Sequence, residues 1–193
     1  LGRDQRLILG GFYKQIDKPI ETVSFQQGGT LFTTFANAPK AELYGLEAEV
    51  QKLFGLGTSG FFADRQLFVS ANYTFTDSKL KVRAGDTTRP VQGGGAEAPA
   101  TDLFVDGAPL TGQSDHIVNL QLGLQQDEKL SEQTLLLTYA SDRVTQRGPN
   151  GTPELGERPG VRLASVRRQE VAMGSRWNRS ANSVSASTLV LRR

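Results

Sequence analysis

The 193-residue chain has no cysteine, one histidine, one methionine and one tryptophan. Without cysteine, disulfide frameworks and cysteine metal sites are excluded. No run approaches the roughly 18 consecutive apolar residues that a spanning helix needs. That excludes helices as a way across a membrane, and nothing more. Neither sign of charge dominates, with 22 basic residues against 20 acidic ones and a net charge of +2. Recognition of a phosphate backbone needs a clustered basic surface, so nucleic acid is not an expected partner. Apolar residues make up 37% of the chain, below the ordinary globular range of about 45–50%. A helical membrane protein cannot be built from so few. A barrel can, because half of its strand positions face a wet lumen.

What the chain does have is alternation. From Arg65 to Asp77 the odd positions are Leu67, Val69, Ala71, Tyr73 and Phe75, and the even ones Gln66, Phe68, Ser70, Asn72, Thr74 and Thr76. Side chains alternate across a strand, so one face is apolar and the other almost wholly polar. About 10 such residues are long for a soluble strand and suit a tilted strand crossing a membrane. Leu80 and Val82 fall out of phase with Phe75, which predicts a bulge near Asp77 or Ser78.

Other segments repeat the pattern. Strands are predicted at Arg6–Asp17, Lys40–Phe54, His116–Gln125, Gln133–Ser141 and Gly160–Val171. The first is ambiguous, because Leu7 and Leu9 oppose Ile8 and Phe12. In the second, Tyr44, Leu46, Ala48 and Val50 oppose Glu47, Glu49 and Gln51. Two glutamates on one strand face are costly against a dry core and comfortable against water. Links alternate in length. Those after the first, third and fifth strands are long, and those after the second and fourth are short. Barrels have long extracellular loops and short periplasmic turns. A link of about 30 residues without regular structure is otherwise uncommon in a compact domain.

Several phrases resemble one family. Asn37-Ala38-Pro39-Lys40-Ala41-Glu42-Leu43-Tyr44-Gly45-Leu46-Glu47-Ala48-Glu49 resembles a strand near the C-terminal end of TonB-dependent outer-membrane receptors. Phe12 to Glu21 resembles the strand before it and its exit. Ala71 to Ser78 resembles the next strand, and Leu110 to Leu120 the one after. The resemblance covers about Leu7 to Gln169, in the family's order and spacing. It implies a barrel of about 22 strands with a plugged lumen. It also implies uptake of iron chelates or other scarce solutes, energised through TonB at an N-terminal box that these residues do not include. Beginning at Leu1 without a signal segment, the chain reads as a fragment.

The expected fold is therefore all-β: an antiparallel up-and-down meander of about six or seven strands, part of a transmembrane β-barrel. Residues 1–171 are expected to hold barrel strands and extracellular loops, and 172–193 an atypical, diverged or frameshifted tail with Trp177 as its only aromatic. The expected location is the outer membrane of a Gram-negative cell. The expected partners are its lipid, an imported small molecule such as a ferric siderophore, and TonB only through the N-terminal region. A soluble β-sandwich that binds carbohydrate is the alternative, and it predicts strands of about five or six residues.

No catalytic, cofactor or metal residue is expected, and no enzyme activity. His116 lacks ligand neighbours other than Asp115 and reads as a strand-start residue at the outer rim. Glu47 and Glu49 resemble paired carboxylates, but a solvated lumen face explains them. Gly93-Gly94-Gly95 lacks the strand-then-helix context of a phosphate cradle and reads as flexible loop. Ser114-Asp115-His116 cannot converge as a triad, being consecutive. Tyr44, Tyr73, Phe75 and Tyr139 are candidates for an interfacial aromatic girdle. Ligand contacts are expected from Gly28–Asn37, Arg83–Asp115 and Asp142–Pro159, where Arg83, Arg89, Arg143 and Arg147 are available to attract an anionic chelate.

Overall fold

The computed structural model describes residues 5–27, 29–57, 59–91, 96–126, 131–148, 153–171 and 181–191. In chain order the strands are β1 Gln5–Asp17, β2 Ile20–Gln27, β3 Thr30–Asn37, β4 Lys40–Gly55, β5 Arg65–Lys81, β6 Thr87–Thr88 and β7 Ala98–Pro99. They continue as β8 His116–Gln126, β9 Ser131–Ala140, β10 Arg143–Gln146, β11 Leu155–Glu157, β12 Gly160–Val171 and β13 Ala181–Leu191. Seven of them form one antiparallel sheet in the order β1-β4-β5-β8-β9-β12-β13. The other six make three two-stranded ribbons, β2-β3, β6-β7 and β10-β11. All three ribbons sit in the long links. Each of those links therefore carries paired strands, including the link of about 30 residues that was expected to lack regular structure. Gly93 to Gly95 lie outside the described residues, as does the tail from residue 172 to 180. Beyond it, β13 pairs with β12 from Val171↔Ala181 to Val161↔Leu191.

Register decides which face is which. Directly paired residues share a face. Leu7, Val50, Ala71, Leu120, Leu137 and Leu163 form one continuous row across the sheet. The row above it is Leu9, Ala48, Tyr73, Val118, Tyr139 and Val161. This apolar face is open, with Leu9 73% and Leu46 63% exposed. Among the described residues no second layer covers Val69, Leu120 and Leu137, and none of the three is buried. The sandwich alternative fails here, since its sheets must cover one another's apolar faces. The opposite face carries a polar ladder. Asn119 Nδ2 donates to Asn72 Oδ1 at 2.8 Å, and Gln125 Nε2 to Gln66 Oε1 at 3.1 Å. The ambiguous first strand is settled by its partner, because pairing with Ala48 and Val50 turns Leu7 and Leu9 to the apolar side. Ile8 and Phe12 go to the polar side, where the Phe12 ring covers Gly45. A Cβ added at Gly45 would lie 2.6 Å from Phe12 Cζ and collide with the Phe75 carbonyl oxygen. Only glycine fits there.

The bulge expected at Asp77 or Ser78 is absent. The β4–β5 register runs unbroken from Lys40↔Lys81 to Gly55↔Gln66. At 17 residues, β5 is longer than the roughly 9–11 that a tilted crossing requires. Its apolar stretch, Leu67 to Phe75, is of the length such a crossing needs. Past Thr76 the wet and dry sides exchange. Leu80 keeps the polar face's parity, yet it is fully buried with Ala41, Val82, Val23, Ala36 and Phe104. The change of phase marks the top of the apolar band, where the long links fold inward over the polar face and supply it with a dry core.

Candidate functional site

The links from 18–39, 82–115 and 141–159 converge on that side of the strand tips. Val23 and Ala36 of the β2–β3 ribbon pack on Ala41 and Leu80, and Phe104 of the second link fills the space beside them. The second link also adds to the edge of β5, with Leu80 N–H donating to the Ala108 carbonyl at 2.8 Å and Gly107 N–H to the Leu80 carbonyl at 2.9 Å. Gly107, at φ 81°, provides the left-handed turn this return needs. The result is a cap with its own core, standing on the polar face.

At its centre lies a charge cluster. Arg147 is 2% exposed and Glu21 1%. Arg147 Nε and Nη2 donate to Glu21 Oε2 at 3.1 and 3.0 Å. The guanidinium also reaches Glu154 and the Pro109 carbonyl. Thr111 N–H donates to both Glu21 oxygens at 3.2 Å. Burial pushes the Glu21 carboxyl above its ordinary value of 4.5, and this outweighs the opposing pull of Arg147 and of the Thr111 hydrogen bonds. Two carboxylates share one guanidinium: Glu21 buried with it and Glu154 at the half-exposed edge of the cluster.

Two of the other three arginines singled out in the sequence, Arg89 and Arg143, also hold carboxylates. Arg143 Nη2 meets Glu157 Oε2 at 2.7 Å, and Arg89 meets Glu97 at 3.4 Å. The hydroxyl of Thr87 and the guanidinium of Arg89 hold the Glu97 carboxyl below its ordinary value. Arg83 has no ion-pair partner among the described residues; it lines a cleft of about 530 Å³ with Lys40, Lys81 and Asp86. A second cleft of about 500 Å³ lies between Gln113, Asp115, Asp142, Arg143 and Arg158. Gly28–Asn37 is mostly strand β3, paired with β2. Glu47 and Glu49 both lie on the polar face, where Gln51 Nε2 donates to Glu49 at 3.0 Å and Arg6 stands 3.9 Å away.

His116 pairs with Phe75 at the top of the apolar band, its ring 5.3 Å from that of Phe75. Tyr73 Oη lies 2.8 Å from His116 Nδ1. Tyr13, Tyr44, Tyr73 and Tyr139 are exposed on the same face. Sequence reasoning found three of these four and missed the opposite rim. There Lys52 lies over the Phe54 ring at 4.6 Å and Arg65 over the Phe61 ring at 3.8 Å, beside Phe62. The Phe61-Phe62 pair in a short link is the signal that was available for it. Glu21 was also missed. Nothing local marks it, as its partner lies 126 residues away.

A family model described as TonB-dependent receptor-like, β-barrel, matches residues 2–186. No curated protein and no solved structure matches the chain.

Proposed function

The chain belongs to the TonB-dependent receptor-like β-barrel family, and from that premise we propose that it forms part of an outer-membrane receptor importing a siderophore-like iron chelate, or another scarce solute, into a Gram-negative cell. The supporting observation is the ordered cap over the polar face of a sheet whose other face is open and apolar. Hydrocarbon lipid is the partner of the apolar face. A solute that reaches the polar face must first pass the cap. Energy coupling to TonB is assigned to a region N-terminal to these strands, and no catalytic role to any residue here.

Charge on the solute is not fixed by the loop arginines, because Arg89, Arg143 and Arg147 already carry carboxylates. The test is uptake of a labelled ferric chelate panel by cells with and without the receptor. Uptake is expected to require the receptor and to collapse when the proton-motive force is dissipated. Transport of a different solute with the same energy dependence removes the chelate and keeps the importer. Uptake indifferent to both manipulations removes the importer.

A further inference from the structure

The geometry points to Arg147 as a latch that joins the three long outer links into one gate, so that they open and close together. Each link supplies a different partner. Glu21 comes from the first link, the Pro109 carbonyl from the second and Glu154 from the third, which also holds Arg147 itself. The backbone of Arg147 adds two more ties, its N–H donating to the Thr22 carbonyl at 2.9 Å and its carbonyl accepting from Ser24 N–H at 2.8 Å. Gly112 N–H donates to the Val144 carbonyl at 2.7 Å, and closes the second link onto the third.

A planar guanidinium with five donors can serve three acceptors in three directions at once, which an ammonium does with far less geometric control. Removing it strands the Glu21 carboxylate in a buried site, a cost that falls on every link touching the cluster. Other hydrogen bonds join the links two at a time: Thr88 Oγ1 donates to the Asn37 carbonyl, Val91 N–H to the Phe35 carbonyl, and Gln146 Nε2 to Ser24 and Thr33. Arg147, with Glu21 as its partner, is where hydrogen bonds from all three links meet. Its position over the polar face makes the joined links a gate. That role rests on the importer reading, but the joint movement does not.

Amide exchange of the membrane-inserted receptor separates the two. In Arg147→Met, protection at Ser24, Thr111, Gly112 and residue 147 is expected to fall together, by about 100- to 1,000-fold, the range carried by a broken buried ion pair. Protection within the β5–β8 ladder is expected to hold. Loss confined to the β10–β11 ribbon overturns the latch. Should Arg147→Met lower insertion, Glu154→Gln removes only the half-exposed arm; a smaller loss shared by all three links supports the latch, and a loss in the third link alone overturns it. The gate has its own readout. Ser24 and Gln146 side chains touch and the chain has no cysteine, so Ser24→Cys with Gln146→Cys ties the first link to the third. Oxidation is expected to stop uptake and reductant to restore it; uptake unaffected by the bridge removes the gate and leaves the shared exchange to be judged on its own.

Discussion

Leu120 and Gln121 adjoin in sequence and meet opposite surroundings. Leu120 sits between Ala71 and Leu137 in the middle of the apolar face, and Gln121 between Ser70 and Leu136 on the polar one. Leu120→Arg in the receptor is expected to cost about 2–4 kcal/mol at mid-depth, since a guanidinium there must be drawn to the interface or dragged into hydrocarbon. Gln121→Arg is expected to stay within about 0.5 kcal/mol, as a charge meets water on that side. Val69→Arg repeats the first case. Asn72→Arg repeats the second, with about 1 kcal/mol added for the lost hydrogen bond from Asn119. Urea titration of receptor folded into lipid vesicles reads all four. Equal losses on the two faces would refute the facing assignment.

Strands and ribbons carry the next level of the argument. The strands of the sheet were legible because a period of two survives wherever one side is wet and the other dry. The alternation failed where that condition failed. β1 has apolar residues on both faces, and only its pairing with β4 sorts Leu9 from Ile8. Leu80 and Val82 looked like a slipped register because the dry side had moved, not the backbone. The β2–β3 ribbon was passed over although Thr22, Val23 and Phe25 face Leu31, Phe32 and Phe35 across Gly28-Gly29 in the sequence, a hairpin signal; Glu21 was hidden by the distance to Arg147. That cluster also sets a pH dependence. The Glu21 carboxyl is raised by burial, with Arg147, Thr111 and, across the guanidinium, Glu154 as the groups that face it. A raised pKa means that its contribution to the cap is fully present below the unfolded value and is lost as pH rises through the folded one. Protonated Glu21 still accepts from Arg147, which keeps Glu154 as its counter-charge. Protection factors at Thr111, corrected for intrinsic exchange, are therefore expected to be higher at about pH 4.5 than at pH 7.5. Glu21→Gln should flatten that profile, and protection rising with pH in the unaltered receptor would contradict the assignment.

For the whole molecule the deciding fact is an open sheet. Within it β1 and β13 each have one neighbour, so each leaves a row of backbone N–H and C=O groups without a strand partner. In hydrocarbon each such group costs several kcal/mol, which is why membrane sheets close into barrels. In water the edges are solvated, but no layer among the described residues covers the apolar rows from Leu7 to Leu163, and an apolar sheet with free edges templates its own aggregation. The 193-residue polypeptide by itself therefore has no solvent that satisfies it. Expressed alone, it is expected to sediment as aggregate in buffer. In detergent it is expected to remain without the sharp, heat-sensitive gel mobility of a folded barrel, because detergent covers the face and leaves the edges open. Supplying the remaining strands of the receptor, on the same chain or as a separate fragment, is expected to restore that mobility by pairing β1 and β13. A monodisperse, β-rich monomer in plain buffer would mean that the apolar face is covered by something other than lipid, and the barrel assignment of these strands would have to be given up.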